Sequence, residues 1–217
     1  MLKLNTTPAA AIAATRRAVG LPRHVRLRNG VPAQIRSLRS DDAKRFGGFI
    51  ARLSAASRCE RFGRGFGACS PAMLLDLVNV DGVRHAGFVA TLRLDHDEEV
   101  IGEARYDVGA DGDCAELTLV VADFWQGQGL AEQLLDRLLE AARDAGLHRL
   151  VGEVPSSNRR MIRFMQRMGF VACAQGADRP VLRMERGVAA RLQQAPAPRP
   201  VDVLRRWLNN QLFQFGF

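Results

Sequence analysis

Apolar and polar positions change period several times along the middle of the chain, and each change predicts an element. Val31 to Leu38 reads as a strand, and Ser40-Asp41-Asp42 offers caps for a helix that places Phe46, Phe49, Ile50 and Leu53 on one side. Ser54 predicts the start of a second helix over Ala55 to Phe62, and Pro71 to Leu77 reads as a third. Between them, Gly63-Arg64-Gly65-Phe66-Gly67 has the glycines of a phosphate loop, but a helix rather than a strand leads into it, so it reads as a linker. The period then falls to two over His85 to Leu94, Glu99 to Val108 and Cys114 to Val121. Turns at Asp95 to Glu98 and Gly109 to Asp113 join these runs into an antiparallel meander. Leu130, Leu134, Leu135, Leu138, Leu139 and Ala142 return to helical spacing, and Gly146 closes that run. Arg149 to Val154 is a further strand, followed by a helix capped at Ser156-Ser157-Asn158 that carries Met161, Ile162, Met165 and Met168. Phe170 to Cys173 and Val181 to Glu185 complete the sheet. The expected class is α+β, with a mixed central β-sheet flanked by helices over residues 31 to 186.

The ends read differently. Residues 1 to 30 are expected as a basic N-terminal arm with a short helix around Ala9 to Val19. Residues 187 to 217 are expected as a stiff Pro-containing linker, Pro196-Ala197-Pro198-Arg199-Pro200, and an amphipathic run through Val203, Leu204, Trp207, Leu208, Leu212 and Phe213. That run either docks onto the domain or meets a membrane surface or a partner.

A length of 217 residues with 47% hydrophobic and 25% charged positions suits one sizeable core and excludes disorder of the whole chain. The net charge of +8 suggests a polyanion as partner, but its placement argues against that. Residues 1 to 30 hold six basic groups and no acid, and residues 186 to 217 hold five Arg against Asp202, so the stretch between carries −2. Specific nucleic-acid binding is therefore not expected. Cys59, Cys69, Cys114 and Cys173 lack paired C-x-x-C spacing, and His24, His85, His96 and His148 form no spaced set, so reduced thiols and no metal are expected. The chain lacks the order of a signal peptide and any run of about 18 apolar residues, which points to the cytoplasm.

The stretch from Ala115 to Ala131 carries the chemistry. A strand ends at Val121, bends through Ala122-Asp123-Phe124-Trp125 and enters Gln126-Gly127-Gln128-Gly129-Leu130-Ala131 before the leucine-striped helix. A helix start leaves N–H groups unpaired, and glycines let a phosphate approach them, so the segment reads as an anion cradle. An ordinary tight turn is the alternative for a lone Gly-x-Gly, and the strand before and the helix after it favour the cradle. In that context the sequence resembles the GNAT family of acyl-CoA-dependent N-acyltransferases, whose cofactor loop has the form Q/R-x-x-G-x-G/A, matched here by Gln126, Gly129 and Ala131. Ile35 to Ala43 resembles the family's opening strand and helix. Leu53-Ser54-Ala55-Ala56-Ser57-Arg58-Cys59-Glu60-Arg61-Phe62 is similar to the L-S-x-x-S-R-x-x-R-F run of the subgroup containing bacterial protein lysine acetyltransferases. Asn158 with Met161, and Gly169-Phe170, resemble the family's N-x-x-A/M and G-F positions.

The resemblance implies acetyl-CoA as cosubstrate, held in a V-shaped splay between the fourth and fifth strands. The pyrophosphate is expected at Gln126, Gly127, Gln128, Gly129, Leu130 and Ala131, and the pantetheine along the backbone of Leu119, Val120 and Val121. Asn158 is expected at the cofactor arm, and Arg160, with Arg159 and Arg163, either near the 3′-phosphate or as exposed arginines of the helix. Glu116 matches the strand glutamate of the lysine-acetyltransferase subgroup and is the expected general base, for which burial would raise its pKa into a useful range. The family frequently places a Tyr seven residues after the Asn as the acid for the departing thiolate. Here that place is Met165, and the chain's one tyrosine, Tyr106, lies on the preceding strand, so no general acid is assigned. The expected activity is transfer of an acetyl group to an amine, a protein lysine or a small molecule, by a monomer or homodimer. The alternative is a noncatalytic module of the same fold that binds acyl-CoA or a macromolecule.

Overall fold

Among the described residues, eight strands pair in the order β1-β2-β3-β4-β5-β6-β8-β7, and five α-helices cover the two faces of this sheet. The computed structural model describes residues 21–188 except 64, 65, 68, 96, 111 and 174–179. The strands are β1 (Arg23–Arg26), β2 (Pro32–Ser37), β3 (His85–Leu94), β4 (Asp97–Val108), β5 (Cys114–Val121), β6 (Arg149–Pro155), β7 (Val171–Ala172) and β8 (Val181–Gly187). The helices are α1 (Ala43–Arg52), α2 (Ala55–Phe62), α3 (Pro71–Val78), α4 (Leu130–Asp144) and α5 (Arg159–Arg167). From β1 to β5 each strand pairs antiparallel with the one before it, β6 runs parallel to β5, and β8 returns antiparallel between β6 and β7. The α+β mixed sheet expected from the sequence is the architecture observed.

Each face of the sheet has its own core. The stripe Leu130, Leu134, Leu135, Leu138 and Leu139 packs against Ile35, Phe88, Ile101, Ala104, Tyr106 and Leu117, and Ile162, Phe164 and Met165 of α5 extend that core. Each fully buried leucine contributes about 1.5–3 kcal/mol, so packing rather than helix propensity fixes α4 against the sheet. On the other face, Phe46, Phe49 and Ile50 of α1 and Val78 of α3 pack on Val89, Val100 and Val120.

Two features depart from the sequence expectations. Arg23–Arg26, inside the span expected as an arm, is an edge strand paired with β2, and Arg23 reaches Glu140 of α4 at 3.0 Å. Asp42, expected as part of a cap, does accept from Arg39 N–H at 2.9 Å in a capping box, and what the sequence did not announce is that the 3-10 turn at Ser40–Asp42 also buries it as the partner of Arg36, with two bonds of 2.7 Å. The helix expected near Ala9 to Val19 and the amphipathic run beyond Pro200 lie outside the described residues. Among the described residues no helix is long and apolar enough to cross a membrane.

Candidate active site

Strands β5 and β6 pair at Cys114–Arg149, Ala115–Leu150 and Glu116–Val151, and no later register pair joins them. Because β5 continues to Val121 and β6 to Pro155, the two strands separate and leave a gap in the sheet, the splay that the resemblance implied. Main-chain groups of β5 must face either β4 or this gap. Ala122 N–H donates to Ile101 O at 2.9 Å and Gly109 N–H donates to Cys114 O at 2.8 Å, so even-numbered residues turn toward β4. Alternate residues of an antiparallel strand do the opposite, so Leu117, Leu119 and Val121 direct their N–H and C=O groups into the gap. The backbone expectation for residues 119 to 121 thus divides: Leu119 and Val121 face the gap, whereas Val120 faces β4.

The gap opens into a cleft of about 630 Å³, walled by Leu117 to Val121 and by Gly152 to Pro155, with the start of α4 at one end. Five arginines, Arg28, Arg61, Arg160, Arg163 and Arg167, line it against the carboxylates of Glu60, Asp123, Glu132 and Glu153, so the lining suits an anionic guest. Gln126, Gly127, Gly129, Leu130 and Ala131 also line it, whereas Gln128 does not. Gln128 instead accepts from Arg28 N–H and, through its side chain, from Asn29 N–H, both at 3.1 Å. Gly127 (φ 77°) and Gly129 (φ 82°) both lie in the left-handed region. The space beside Gly127 is open, so backbone conformation alone favours glycine there. Gly129 is the N-cap of α4, where the helix dipole favours negative charge.

Two side chains, Gln126 and Asp123, brace the loop. Gln126 donates to Val121 O at 3.1 Å and accepts from Arg160 at 2.8 Å, tying the end of β5 to α5. Asp123 accepts from Ser54 N–H (2.9 Å), Ser54 Oγ (2.8 Å) and Ser57 Oγ (2.8 Å), which joins the β5 exit to the N-cap of α2. Burial works to raise the Asp123 carboxyl, and those hydrogen bonds outweigh it and hold the carboxyl below its ordinary range. Asn158 caps α5 by accepting from Met161 N–H at 2.9 Å while lining the cleft, so both roles suggested for it are compatible. Arg160 and Arg163 reach the cleft, and Arg159 does not.

Beneath the cleft, Glu103 is completely buried between Arg61 and Arg105. Burial pushes its carboxyl up, and the two guanidiniums pull it further down, so the group stays ionised. Thr118, the register partner of Arg105, lines the cleft with a buried Oγ1 that has no protein hydrogen-bond partner. Sequence reasoning missed both groups. Of the ion cluster only Arg61 falls in a motif, as the second arginine of the L-S-x-x-S-R-x-x-R-F run.

Glu116 is exposed and stands outside the cleft lining, at the last β5–β6 pair before the splay. The burial expected of it is therefore not present. By strand alternation it shares a face with Thr118, one step nearer the mouth. Glu153, which no sequence pattern singles out, lies on the facing strand two residues beyond Val151 and does line the cleft. Met165 is core: it is buried against Gly152, where even a Cβ would come 2.9 Å from its methyl. Tyr106 is fully buried, donates to Val83 O at 3.2 Å and lies outside the cleft lining, so it is no acid for this site. Among the described residues no group of His, Cys, Asp and Glu is arranged to hold a metal ion.

Comparison with known proteins agrees with this architecture. Residues 49–170, more than half of the chain, match the model of the acetyltransferase (GNAT) family. An acetyltransferase of Pseudomonas aeruginosa is 33% identical over 145 residues, covering 67% of this chain and 78% of that protein. An L-methionine sulfoximine/L-methionine sulfone acetyltransferase of Pseudomonas paraeruginosa is 34% identical over 110 residues, 46% of this chain and 63% of that protein. The GNAT domain of S. lividans PAT superposes with a TM-score of 0.70 at 31% identity, covering 76% of this chain and 96% of that one. The Salmonella typhimurium yncA protein, solved with its cofactor acetyl-CoA, shares the fold with a TM-score of 0.55 at 21% identity, over 72% and 94% of the two chains. With its split sheet, its glycine loop at a helix start and these relatives, the chain belongs to the acetyltransferase (GNAT) family and is an N-acetyltransferase.

Proposed function

We propose that this cleft binds acetyl-CoA and that the protein transfers its acetyl group directly to an amine. The observation that carries the reading is the sheet gap that ends on the N-terminus of α4 through two left-handed glycines. A pyrophosphate meets free amide N–H groups and the positive end of the helix dipole there. Leu119 and Val121 offer main-chain groups to a pantetheine arm, and an N–H in the gap polarises the thioester carbonyl as charge builds on its oxygen.

The amine arrives as an ammonium and loses a proton before it attacks. Glu116 takes that proton, and its exposed place at the mouth favours a relay through water rather than direct contact. Glu153 is the second candidate because it lines the cleft itself. The thiolate leaves readily and is protonated by water, since Met165 has no proton to give and Tyr106 is buried elsewhere. Acceptors divide into two classes, a small amine of amino-acid type, supported by the relative that acetylates L-methionine sulfoximine, and a protein lysine, supported by the subgroup motif in α2.

Thiol release from acetyl-CoA, measured with a panel of amino acids, amines and lysine peptides, tests the reading. Glu116→Gln should lower the rate at limiting acceptor at least tenfold while acetyl-CoA affinity stays within about twofold, as expected for removal of one general base. An unchanged rate removes Glu116 from this role, and a loss seen instead in Glu153→Gln moves the role to Glu153.

A further inference from the structure

The turn between β1 and β2 leans on the glycine loop. Arg28 N–H donates to Gln128 O and Asn29 N–H to Gln128 Oε1, both at 3.1 Å, so main-chain bonds seat the turn whatever side chain position 28 carries. The Arg28 guanidinium is thereby delivered to the cleft. Its Nη1 donates to Gly127 O at 3.3 Å, and its Nη2 lies 3.3 Å from Glu132 Oε2. A Cβ at Gly129 would lie 3.3 Å from that same Glu132 oxygen and 3.5 Å from Arg28 Nε, so the ion pair sits against the N-cap of α4. Both side chains line the cleft.

Glu132 thus places a carboxylate where a helix start favours any anion. Its bond to Arg28 is long and lies between side chains that are 66% and 32% exposed. A pair of that kind is weak and readily exchanged. A guanidinium offers a planar fork to two phosphate oxygens at once, which a cofactor pyrophosphate would fill better than this stretched contact.

We infer that Arg28 is a pyrophosphate-binding residue of the acyl-CoA site, and that Glu132 is the internal anion it exchanges for that pyrophosphate. The inference rests on the acyl-CoA reading above and adds a ligand from outside the glycine loop. The two charges act oppositely on one equilibrium. Losing Arg28 removes an attraction and leaves Glu132 facing the phosphates, whereas neutralising Glu132 frees Arg28 and removes a repulsion.

Calorimetric titration of the full chain with acetyl-CoA and with 3′-dephospho-acetyl-CoA tests this. Arg28→Ala should raise Kd at least tenfold, by the same factor for both ligands, with Arg28→Lys intermediate. Glu132→Gln, which keeps the turn's main-chain contacts, should lower Kd two- to fivefold. A Kd for Arg28→Ala within twofold of wild type overturns the assignment, as does weaker binding by Glu132→Gln. An effect of Arg28→Ala that vanishes with the dephospho ligand also overturns it, because it would put the guanidinium on the 3′-phosphate. Failure of the wild type to bind acetyl-CoA is a separate result and refutes the site itself.

Discussion

Replacing Thr118 with Val should make the protein more stable and less active. Its Oγ1 is buried on β5 without a protein partner, beside the Arg105 and Glu103 pair, and the residue lines the cleft. A buried hydroxyl left unsatisfied costs about 1–3 kcal/mol, and Val has nearly the same shape without that donor and acceptor. Taking the low end, about 1 kcal/mol, the melting temperature of a domain this size should rise by about 2–4 °C. Such a cost is maintained when a hydroxyl serves a guest, and Thr118 lies on the same strand face as Glu116, the side proposed for the amine. Loss of one hydrogen bond made in the transition state, about 1.4 kcal/mol, should lower kcat/KM for the acceptor about tenfold. Scanning calorimetry and thiol release on the same preparation read both quantities. A melting temperature that falls while the rate stays unchanged refutes the reasoning, because the hydroxyl would then be serving the fold.

The remaining predictions concern the ions under the cleft. Glu103→Gln should destabilise the protein by about 3–5 kcal/mol in urea unfolding, because it leaves the guanidiniums of Arg61 and Arg105 buried without their carboxylate. A loss under 1 kcal/mol would mean that the cluster does not anchor α2 to the sheet. Glu103 and Asp123 both have carboxyls held below their ordinary 4.5 and 3.8 in the folded chain. Their contribution is therefore full above those ordinary values and lost as pH falls toward the lower folded ones. The urea midpoint should be flat near neutrality and drop below about pH 4.5, and Asp123→Asn should shrink that drop. A midpoint that rises on acidification would contradict the assignment.

The sheet's central strands and α4 were legible because each buries a regular stripe. Phe88 and Ile101 on the strands and Leu134 and Leu138 on the helix repeat at the period their element requires. Strand β1 was not legible, since Arg23, His24, Val25 and Arg26 supply one apolar residue, and pairing with β2 and the Arg23–Glu140 bridge hold it. Tertiary contacts of that kind leave no local pattern. Asp42 shows the same limit within one residue, because its capping bond from Arg39 N–H is local and readable, while its burial against Arg36, six residues earlier, is tertiary. Of the expected strand Phe170 to Cys173, Val171–Ala172 pairs with β8, and Phe170 turns into the core instead.

The candidate site divides along the same line. The glycine loop was readable because its function depends on residue type and local spacing, and the structure adds a second cause, the positive φ at Gly127 and Gly129. The gap between β5 and β6 came through family resemblance, since where two parallel strands part is decided by packing on both faces. Glu153, Thr118 and Arg28 reach the cleft through strand register and a distant turn, which no spacing in the sequence encodes. The basic N-terminal region, whose charge first suggested a polyanion, places Arg28 at the helix start that suits a single pyrophosphate.

Calorimetric titration of acetyl-CoA into the wild type and into the Gly127→Asp, Gly129→Asp double variant tests the central claim most directly. Asp tolerates left-handed backbone better than most residues, so the loop can keep its course while carrying negative charge where the pyrophosphate is proposed to bind. Binding of one acetyl-CoA by the wild type and at least a hundredfold weaker binding by the variant would agree with the account. A wild type that takes up no acetyl-CoA, or a variant that binds it equally well, would contradict it.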